Sequence, residues 1–564
     1  MAFFKAIDNY TTKQSGENGH TEYSWSISSI EERICQFNFQ CVRTTDSKLS
    51  ELENILTCLL VDIRNIEDKS ESLKYLNIIF KLIAQTRDIE QGKGERDLFY
   101  MMVYVFYQFL PEYALRMISF LVYLENETLP FGSWKDMKRL SQYVYKKTDD
   151  KDHPIILHCI QLICKKLEVD LTYENTDPSK LSLCARWVPR ESSKSGCWLF
   201  RKIATKFLPD YIATATNSNE DKKQAAQRKT YMVFARMLAR VNRKLDTVQI
   251  KMCGKMWADI DHNKTTSVTL SKSSKAFMNM SKSNIVKCDP DRIQCAENFK
   301  EYIDSRVKEG KTIKGKNVGI VDLVKSGLEA SCYVNPTTQS SLINAQWDDF
   351  MTKVGDLGNF VAMVDQSGSM LGDPYHAAIG LGTAIAQKSA LGPRIMTFSA
   401  EPHWISLEGK PTFTDKMRTI KQNDRFSGLN TNFYRALSLI LNACVEAKLP
   451  NEIVSNMVLA ILSDMQIDLG DNSHTLTMQE SILQKYKAAG YENAPHILFW
   501  NLRSTSGFPS ASTTKNTSML SGFSPVLLNT FCEKGMDVLK DLTPYAILLE
   551  SLNKPRYNNI VFQE

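Results

Sequence analysis

The chain has 564 residues, 43% hydrophobic and 23% charged, the balance of a globular protein and not of a disordered or collagen-like one. That length accommodates roughly two to four domains, each with a core of its own. With 69 Lys+Arg against 63 Asp+Glu the formal charge is only +6, too small as a bulk figure to indicate a nucleic-acid partner.

The 13 cysteines are odd in number, scattered, and free of any CxxC pair. They read as reduced thiols of an intracellular protein, without zinc or thioredoxin-like chemistry. His153, His158, Cys159 and Cys164 make one loose His/Cys group, which fits helical core positions better than a metal site. The first ten residues lack the basic segment and apolar run of a secretion signal. No apolar stretch approaches the ~20 residues that span a bilayer. The expectation is a cytoplasmic protein with no membrane partner.

In chain order, residues 1–25 are polar, carry Gly16 and Gly19, and are expected to form a flexible arm. Residues 26–316 have a helical pattern. Leu73, Leu76, Ile79, Phe80 and Ile83 recur at spacings of three and four, as do Leu98, Met102, Val105, Phe106 and Leu110, a series halted by Pro111. Similar segments at 113–125, 134–146, 154–168, 198–208 and 229–246 predict packed antiparallel helices. The pattern is compatible with a helical-repeat solenoid of the HEAT type, although no repeat of fixed period is present.

Residues 317–350 form a junction broken by Gly319, Gly327 and Pro336. The grammar then changes over residues 351–564. Asn359–Val364 is a nearly continuous apolar run, as expected of a strand buried on both faces. Further runs lie at Arg394–Phe398, Met457–Leu462 and Ile497–Trp500. Helical patterns at Tyr375–Lys388, Tyr434–Lys448 and Thr477–Ala489 separate them. Alternating strands and helices predict an α/β, Rossmann-like domain with a mostly parallel sheet, whose ligands bind beyond the carboxyl ends of the strands.

The loop leaving the first strand reads Asp365-Gln366-Ser367-Gly368-Ser369. It places a carboxylate and two hydroxyls at alternate positions on that strand end. Such oxygen donors suit Mg²⁺, which takes six oxygens at ~2.1 Å. Ser427-Gly-Leu-Asn-Thr431 adds a hydroxyl ahead of the next helix, and Val458–Ser463 is a second buried strand that runs out into Asp464.

These three loops together resemble the metal-ion-dependent adhesion site (MIDAS) of the von Willebrand factor A (vWA) family. The resemblance implies metal ligation, direct or through water, by Asp365, Ser367, Ser369, Thr431 and Asp464. Only two of those five are charged, so a bound Mg²⁺ or other divalent cation stays partly electropositive, with a position for a partner's carboxylate or a phosphate oxygen. No His, Lys or Cys lies near these loops in sequence to act as base or nucleophile. His376, at the start of a helix, reads as inert. Binding rather than catalysis is expected.

A long helical region followed by an A-type domain is similar to the Ro autoantigen (TROVE) architecture, in which a helical ring closed by the A domain binds structured small RNAs. The chain also resembles an uncharacterised vWA-containing family of plants, fungi and large DNA viruses. The segments that carry this are Arg87-Asp-Ile-Glu-Gln-Gly-Lys-Gly-Glu-Arg96, Phe131-Gly-Ser-Trp-Lys-Asp136, Leu183-Cys-Ala-Arg-Trp-Val-Pro189 and Ser521-Gly-Phe-Ser524. Gln91 stands where that family usually has a first Gly of a pair. Read from its residues, Gln91–Gly94 is a turn between helices, with Lys93 and Arg96 expected to be exposed beside it. Trp134 and Trp187 read as packing residues.

Charge is unevenly spread. Residues 222–316 hold 22 Lys/Arg and 9 Asp/Glu, a local +13, which leaves the rest of the chain near −7. Within this stretch Val233, Met237, Val241 and Leu245 make one side of a helix, and Arg236, Arg240, Arg243 and Lys244 an overlapping stripe. Lys264, Lys272, Lys275, Lys282 and Lys287 follow, interleaved with Ser and Thr in a segment that reads as a loop able to contact phosphates. The candidate nucleic-acid contacts are therefore Lys93, Arg96, Arg236, Arg240, Arg243, Lys244, Lys272, Lys275 and Lys282. A solvated basic face, structured RNA bound by shape and backbone, and an acidic protein partner all fit this pattern. The leading expectation is a non-enzymatic RNA-binding ribonucleoprotein component with a Mg²⁺-dependent adhesion site. The alternative is an assembly protein, such as a virion component, that uses the metal for protein–protein contact.

Overall fold

The computed structural model describes residues 13–123, 129–213, 219–281, 285–333, 337–398, 401–423, 432–467, 476–532 and 540–562. They form two compact units. One comprises Met1–Leu98, Thr266–Ser274 and Lys300–Glu564, and the other Phe99–Thr265 and Lys275–Phe299.

The first unit is built on a six-stranded sheet. Its strands are β3 (Asn359–Asp365), β4 (Arg394–Phe398), β5 (His403–Ser406), β6 (Met457–Ser463), β7 (His496–Asn501) and β8 (Thr517–Ser521), following the short N-terminal strands β1 (Lys13–Ser15) and β2 (Thr21–Tyr23). Their spatial order is β5-β4-β3-β6-β7-β8, parallel throughout except for the antiparallel β4–β5 pair. All seven residues of β6 are buried, as are six of the seven in β3. These strands are covered on both faces, which is why they read as unbroken apolar runs and not as alternation. The sequence pattern located four of the six strands to within a residue. It missed β5 and β8, whose polar sequences His-Trp-Ile-Ser and Thr-Ser-Met-Leu-Ser gave no apolar run.

Connections run outward in both directions from β3 and β6, so the strand order reverses between them. In a doubly wound sheet this reversal opens a crevice at the carboxyl ends, because the loops from the two strands diverge to opposite faces. Asp365 ends β3 and Asp464 immediately follows β6.

The junction region is part of this unit's core. Helices Ile320–Ala330 and Thr338–Met351 contribute Ile320, Leu323, Val324, Trp347 and Phe350 to one apolar cluster with Val364, Ile385 and Leu462. Trp347 stacks on Phe413 with centroids 4.0 Å apart, and its Nε1 donates to Gln387 Oε1 at 3.0 Å.

The N-terminal 98 residues belong to the sheet's unit, which helical periodicity could not reveal. Residues 13–23, expected as an arm, pair as an antiparallel β1–β2 hairpin, joined to the later chain by Tyr23–Phe508 backbone bonds of 2.8 and 3.0 Å. Helices Ile30–Gln40, Asp46–Arg64 and Lys69–Arg87 follow. Asn501 Nδ2 donates to Phe39 O, Gln40 Nε2 to Gly507 O, and the Ser512 amide to Glu32 Oε2. These are buried polar groups whose partners lie over 450 residues away, a demand that only the folded chain meets.

The second unit is helical. Its segments include Pro111–Ser119, Trp134–Thr148, Pro154–Tyr173, Cys197–Phe207 and Glu220–Lys244; the middle three start within a residue of the expected spans, whereas the first ends six residues before the expected 125 and the last begins nine residues before the expected 229. His153 caps one of them, accepting from the Ile155 amide, so its ring is used as a helix cap. Among the described residues no helix is long and apolar enough to cross a membrane.

Candidate metal centre

At the switch point Asp365 is fully buried, and its rotamer is fixed from two sides. The Ser367 amide donates to Oδ1 at 2.9 Å and the Ser463 hydroxyl to Oδ2 at 2.5 Å. Ser463, the last residue of β6, thus couples the two central strand ends. The sequence reading omitted it, although a hydroxyl directly before Asp464 was visible there. Ser367 Oγ lies 3.1 Å from Ser369 Oγ. Neighbouring oxygens around a Mg²⁺ ion with ~2.1 Å bonds are about 3.0 Å apart, so the two hydroxyls have the spacing of one edge of such a shell.

Asp464 is also fully buried. Its Oδ1 accepts from the Gln466 amide at 3.1 Å, while Oδ2 is sealed from solvent without a hydrogen-bond partner among the described residues. The next residue, Met465, has φ 63°, a left-handed conformation that costs a non-glycine residue roughly 1–2 kcal/mol. The strain turns the chain sharply after Asp464 and keeps that carboxylate at the strand end. Gln366 Nε2 and Gln466 Nε2, on the same two loops, are likewise buried with no hydrogen-bond partner among the described residues. These are polar groups that a bound ion and its waters could satisfy.

The electrostatics agree. Burial, then the neighbouring Asp464, push the Asp365 carboxyl up to about 7 against the Ser463 and Ser367 hydrogen bonds. Burial likewise raises Asp464, opposed by the Gln466 amide, the Ser369 hydroxyl and Arg503. Two carboxylates crowded out of water disfavour each other's charge, and a divalent cation reverses that preference. The donor set therefore fits a hard, oxygen-seeking cation. Among the described residues no three His, Cys, Asp or Glu side chains gather to hold a metal, so a cation here would rest on two carboxylates, hydroxyls and water. Thr431 lies outside the described residues.

Arg503, just past β7, is a site residue the sequence did not signal, because nothing local distinguishes it. Its Nη1 donates to Ser369 O at 2.7 Å and lies 3.8 Å from Asp464 Oδ2, and the side chain is half exposed. A cavity of about 470 Å³ opens elsewhere, at the starts of β3 and β6, walled by Phe360, Ile440, Cys444 and Met457. It is apolar and lies at the opposite end of the sheet from Asp365.

The basic candidates divide. Lys93 is a correction: it is buried, and its ammonium donates to Asn38 O, Cys41 O and Ser521 Oγ at 2.9, 3.2 and 2.7 Å. Burial lowers it to about 8. It joins the N-terminal helices to the end of β8 and presents no cation to a phosphate. The turn containing it has a close approach at Gly92, where a Cβ would meet Gln85 O at 2.0 Å, and a left-handed residue at Gly94, φ 73°. Asp88 in the same segment is buried and takes both arms of Arg556, at 2.8 and 2.9 Å, and the Tyr557 hydroxyl. Asp136 caps its own helix and accepts from Tyr100 at 2.7 Å. Trp134 and Trp187 are half-buried. These motif residues hold the fold together.

On helix Glu220–Lys244 the buried side is Phe234, Met237, Leu238 and Val241, and Arg236, Arg240, Arg243 and Lys244 are exposed. Arg240 is committed to the buried Glu174, with Nε 2.5 Å from Oε1. Lys272 and Lys275 lie on the helix Ser267–Phe277, where a loop was expected. Lys272 is exposed and pairs with Asp322 at 3.7 Å, and Lys275 and Arg96 are exposed. Lys282 lies outside the described residues. Lys93, Arg96 and Lys272 fall in the first unit and the remaining described candidates in the second, so the one stripe the structure assembles is that on Glu220–Lys244.

The fold and site thus define a two-unit protein with a doubly wound α/β sheet carrying a carboxylate–hydroxyl centre at its switch point. Residues 140–360 match the model of a domain of unknown function (DUF2828), and residues 359–546 match that of another (DUF7788). The chain is 29% identical over 508 residues to the uncharacterized protein L728 of Acanthamoeba polyphaga mimivirus, a match covering 86% of this chain and 81% of that protein. The chain is similar to uncharacterised proteins that include a viral one.

Proposed function

We propose that this is a non-enzymatic, metal-dependent binding protein of the vWA type, with a MIDAS formed by Asp365, Ser367, Ser369 and Asp464 and completed by Thr431. The observation that carries the reading is the buried Asp464 Oδ2, which accepts no hydrogen bond among the described residues, beside a second buried carboxylate at the switch point of the sheet. Mg²⁺ held there supplies an electropositive open position for an anionic oxygen. The chain's own residues fix the geometry: Ser463 and the Ser367 amide orient Asp365, and the Met465 turn holds Asp464. The test is Mn²⁺ titration of the full chain and of Asp365→Ala. Saturable binding by the first and none by the second is expected. Equal binding by both overturns the assignment.

A second reading, contact with structured RNA, is favoured by the exposed Arg236, Arg243 and Lys244 on Glu220–Lys244. Each phosphate contact releases counterions, so affinity for a mixed pool of structured RNAs should fall steeply between 50 and about 200 mM salt. Changing these three residues together to Glu should abolish it. Binding that ignores salt or the triple change refutes this reading.

A further inference from the structure

Arg503 stands in a position the metal reading leaves unexplained. Its guanidinium lies 3.8 Å from Asp464 Oδ2. Among the described residues the guanidinium's hydrogen bond is to Ser369 O; Arg503 itself sits on a loop after β7, with half its surface in water. Resting on the metal reading, we infer that Arg503 is an internal counter-ion of Asp464 that gives way when a divalent cation binds, and then serves as the second contact for a carboxylate-bearing segment of a protein partner. The reasoning is electrostatic. A divalent ion held by Asp365 and Asp464 would neutralise the charge that draws Arg503 inward and would repel the guanidinium. The side chain is long and half solvated, so it can turn outward at small cost. There its planar fork matches a carboxylate beside the metal's open position.

Two neighbours favour an acidic protein segment over a nucleic-acid backbone. Leu371, directly after the Gly368–Met370 turn, is 81% exposed, an apolar surface suited to a side chain flanking the partner's carboxylate. Glu17, exposed on the β1–β2 turn, binds Gln466 Oε1 through its amide at 3.1 Å, which brings an acidic residue against the loop that follows Asp464. A single carboxylate tolerates that negative neighbour better than a chain of phosphates does.

The experiment compares the full-length wild type with Arg503→Ala, and with Arg503→Lys as the conservative variant. Mn²⁺ alone is titrated first. Loss of the competing cation should tighten Mn²⁺ binding by Arg503→Ala roughly three- to fivefold, the range of a half-exposed ion pair, with Arg503→Lys close to wild type. An array of octapeptides, each with one Asp or Glu beside a Leu, is then probed in Mn²⁺ and in EDTA. Wild type should bind in Mn²⁺ only. Arg503→Ala should lose at least about fivefold despite its tighter metal. A merely structural role for Arg503 would weaken both. Unchanged or weaker Mn²⁺ binding by Arg503→Ala overturns the counter-ion role, and equal peptide binding overturns the recognition role. Mn²⁺-dependent capture of RNA in place of peptides overturns the choice of partner. Absence of Mn²⁺ binding by the wild type instead defeats the metal reading itself.

Discussion

Replacing Asp464 by Asn should stabilise the metal-free protein while removing its response to metal. The Asp365 carboxyl, raised well above its usual range by burial and then by Asp464, costs the folded, metal-free chain stability once ionised, on the order of a few kcal/mol. The sign follows from linkage. The native state keeps this proton to higher pH than the unfolded state does, so stability falls as pH rises from about 4 to about 7 and the penalty is complete above that. Burial is the larger cause and Asp464 the second, so removing the Asp464 charge should recover roughly 1–2 kcal/mol. Asn retains an oxygen for the Gln466 amide, and the half-exposed Arg503 pair is worth under about 1 kcal/mol. The assay is urea unfolding at pH 7.5, in EDTA and in Mg²⁺. Wild type should gain about 2.7 kcal/mol when Mg²⁺ stands at a hundredfold its dissociation constant, and Asp464→Asn should gain nothing. A variant that is less stable than wild type in EDTA, yet responds equally to Mg²⁺, would show that the two carboxylates are not crowded around a cation site.

Other consequences lie in the fold. Arg556→Ala leaves Asp88 buried with the Tyr557 hydroxyl and the amides of Glu90 and Gln91, and should cost about 3 kcal/mol, the low end for a broken buried pair. Faster amide exchange in residues 69–96 and 555–562 would register it, and unchanged exchange would contradict the network. Lys93, lowered to about 8 by burial, makes the opposite pH prediction from Asp365. Its penalty is full below 8 and is relieved as pH climbs towards 10.5, so wild type should gain up to roughly 3 kcal/mol on Lys93→Met between pH 7 and 10. A constant difference would mean that the ammonium is better solvated than its surroundings indicate. Gly92→Ala drives a methyl into Gln85 O and should lower the thermal midpoint by several degrees, whereas a neutral effect would mean the turn can shift.

Short-range pattern made much of this protein legible. Phe360–Val364 and Met457–Leu462 declare themselves as strands because burial on both faces leaves no polar position in either. The carboxylates at their ends were readable because a strand and the loop that leaves it are adjacent in sequence. Helix Glu220–Lys244 was readable for a similar reason, since its apolar side repeats every turn. Periodicity, however, says which face of a helix is buried and not what buries it. Ile30–Gln40 and Lys69–Arg87 therefore looked like the start of the helical region, and only the folded chain shows them bound to β7, β8 and the C-terminal residues through Asn501, Ser521 and Arg556. Lys93 looked exposed because a Gly-Lys-Gly turn ordinarily is; three acceptors from distant segments draw it inside. Arg503 carried no local mark at all, and its place beside Asp464 follows from the strand order, which sets β7 next to β6. Local composition fixes the elements and the residues at their ends, whereas the pairing of distant buried polar groups, each needing a partner out of water, decides which elements share a core and what surrounds the candidate metal.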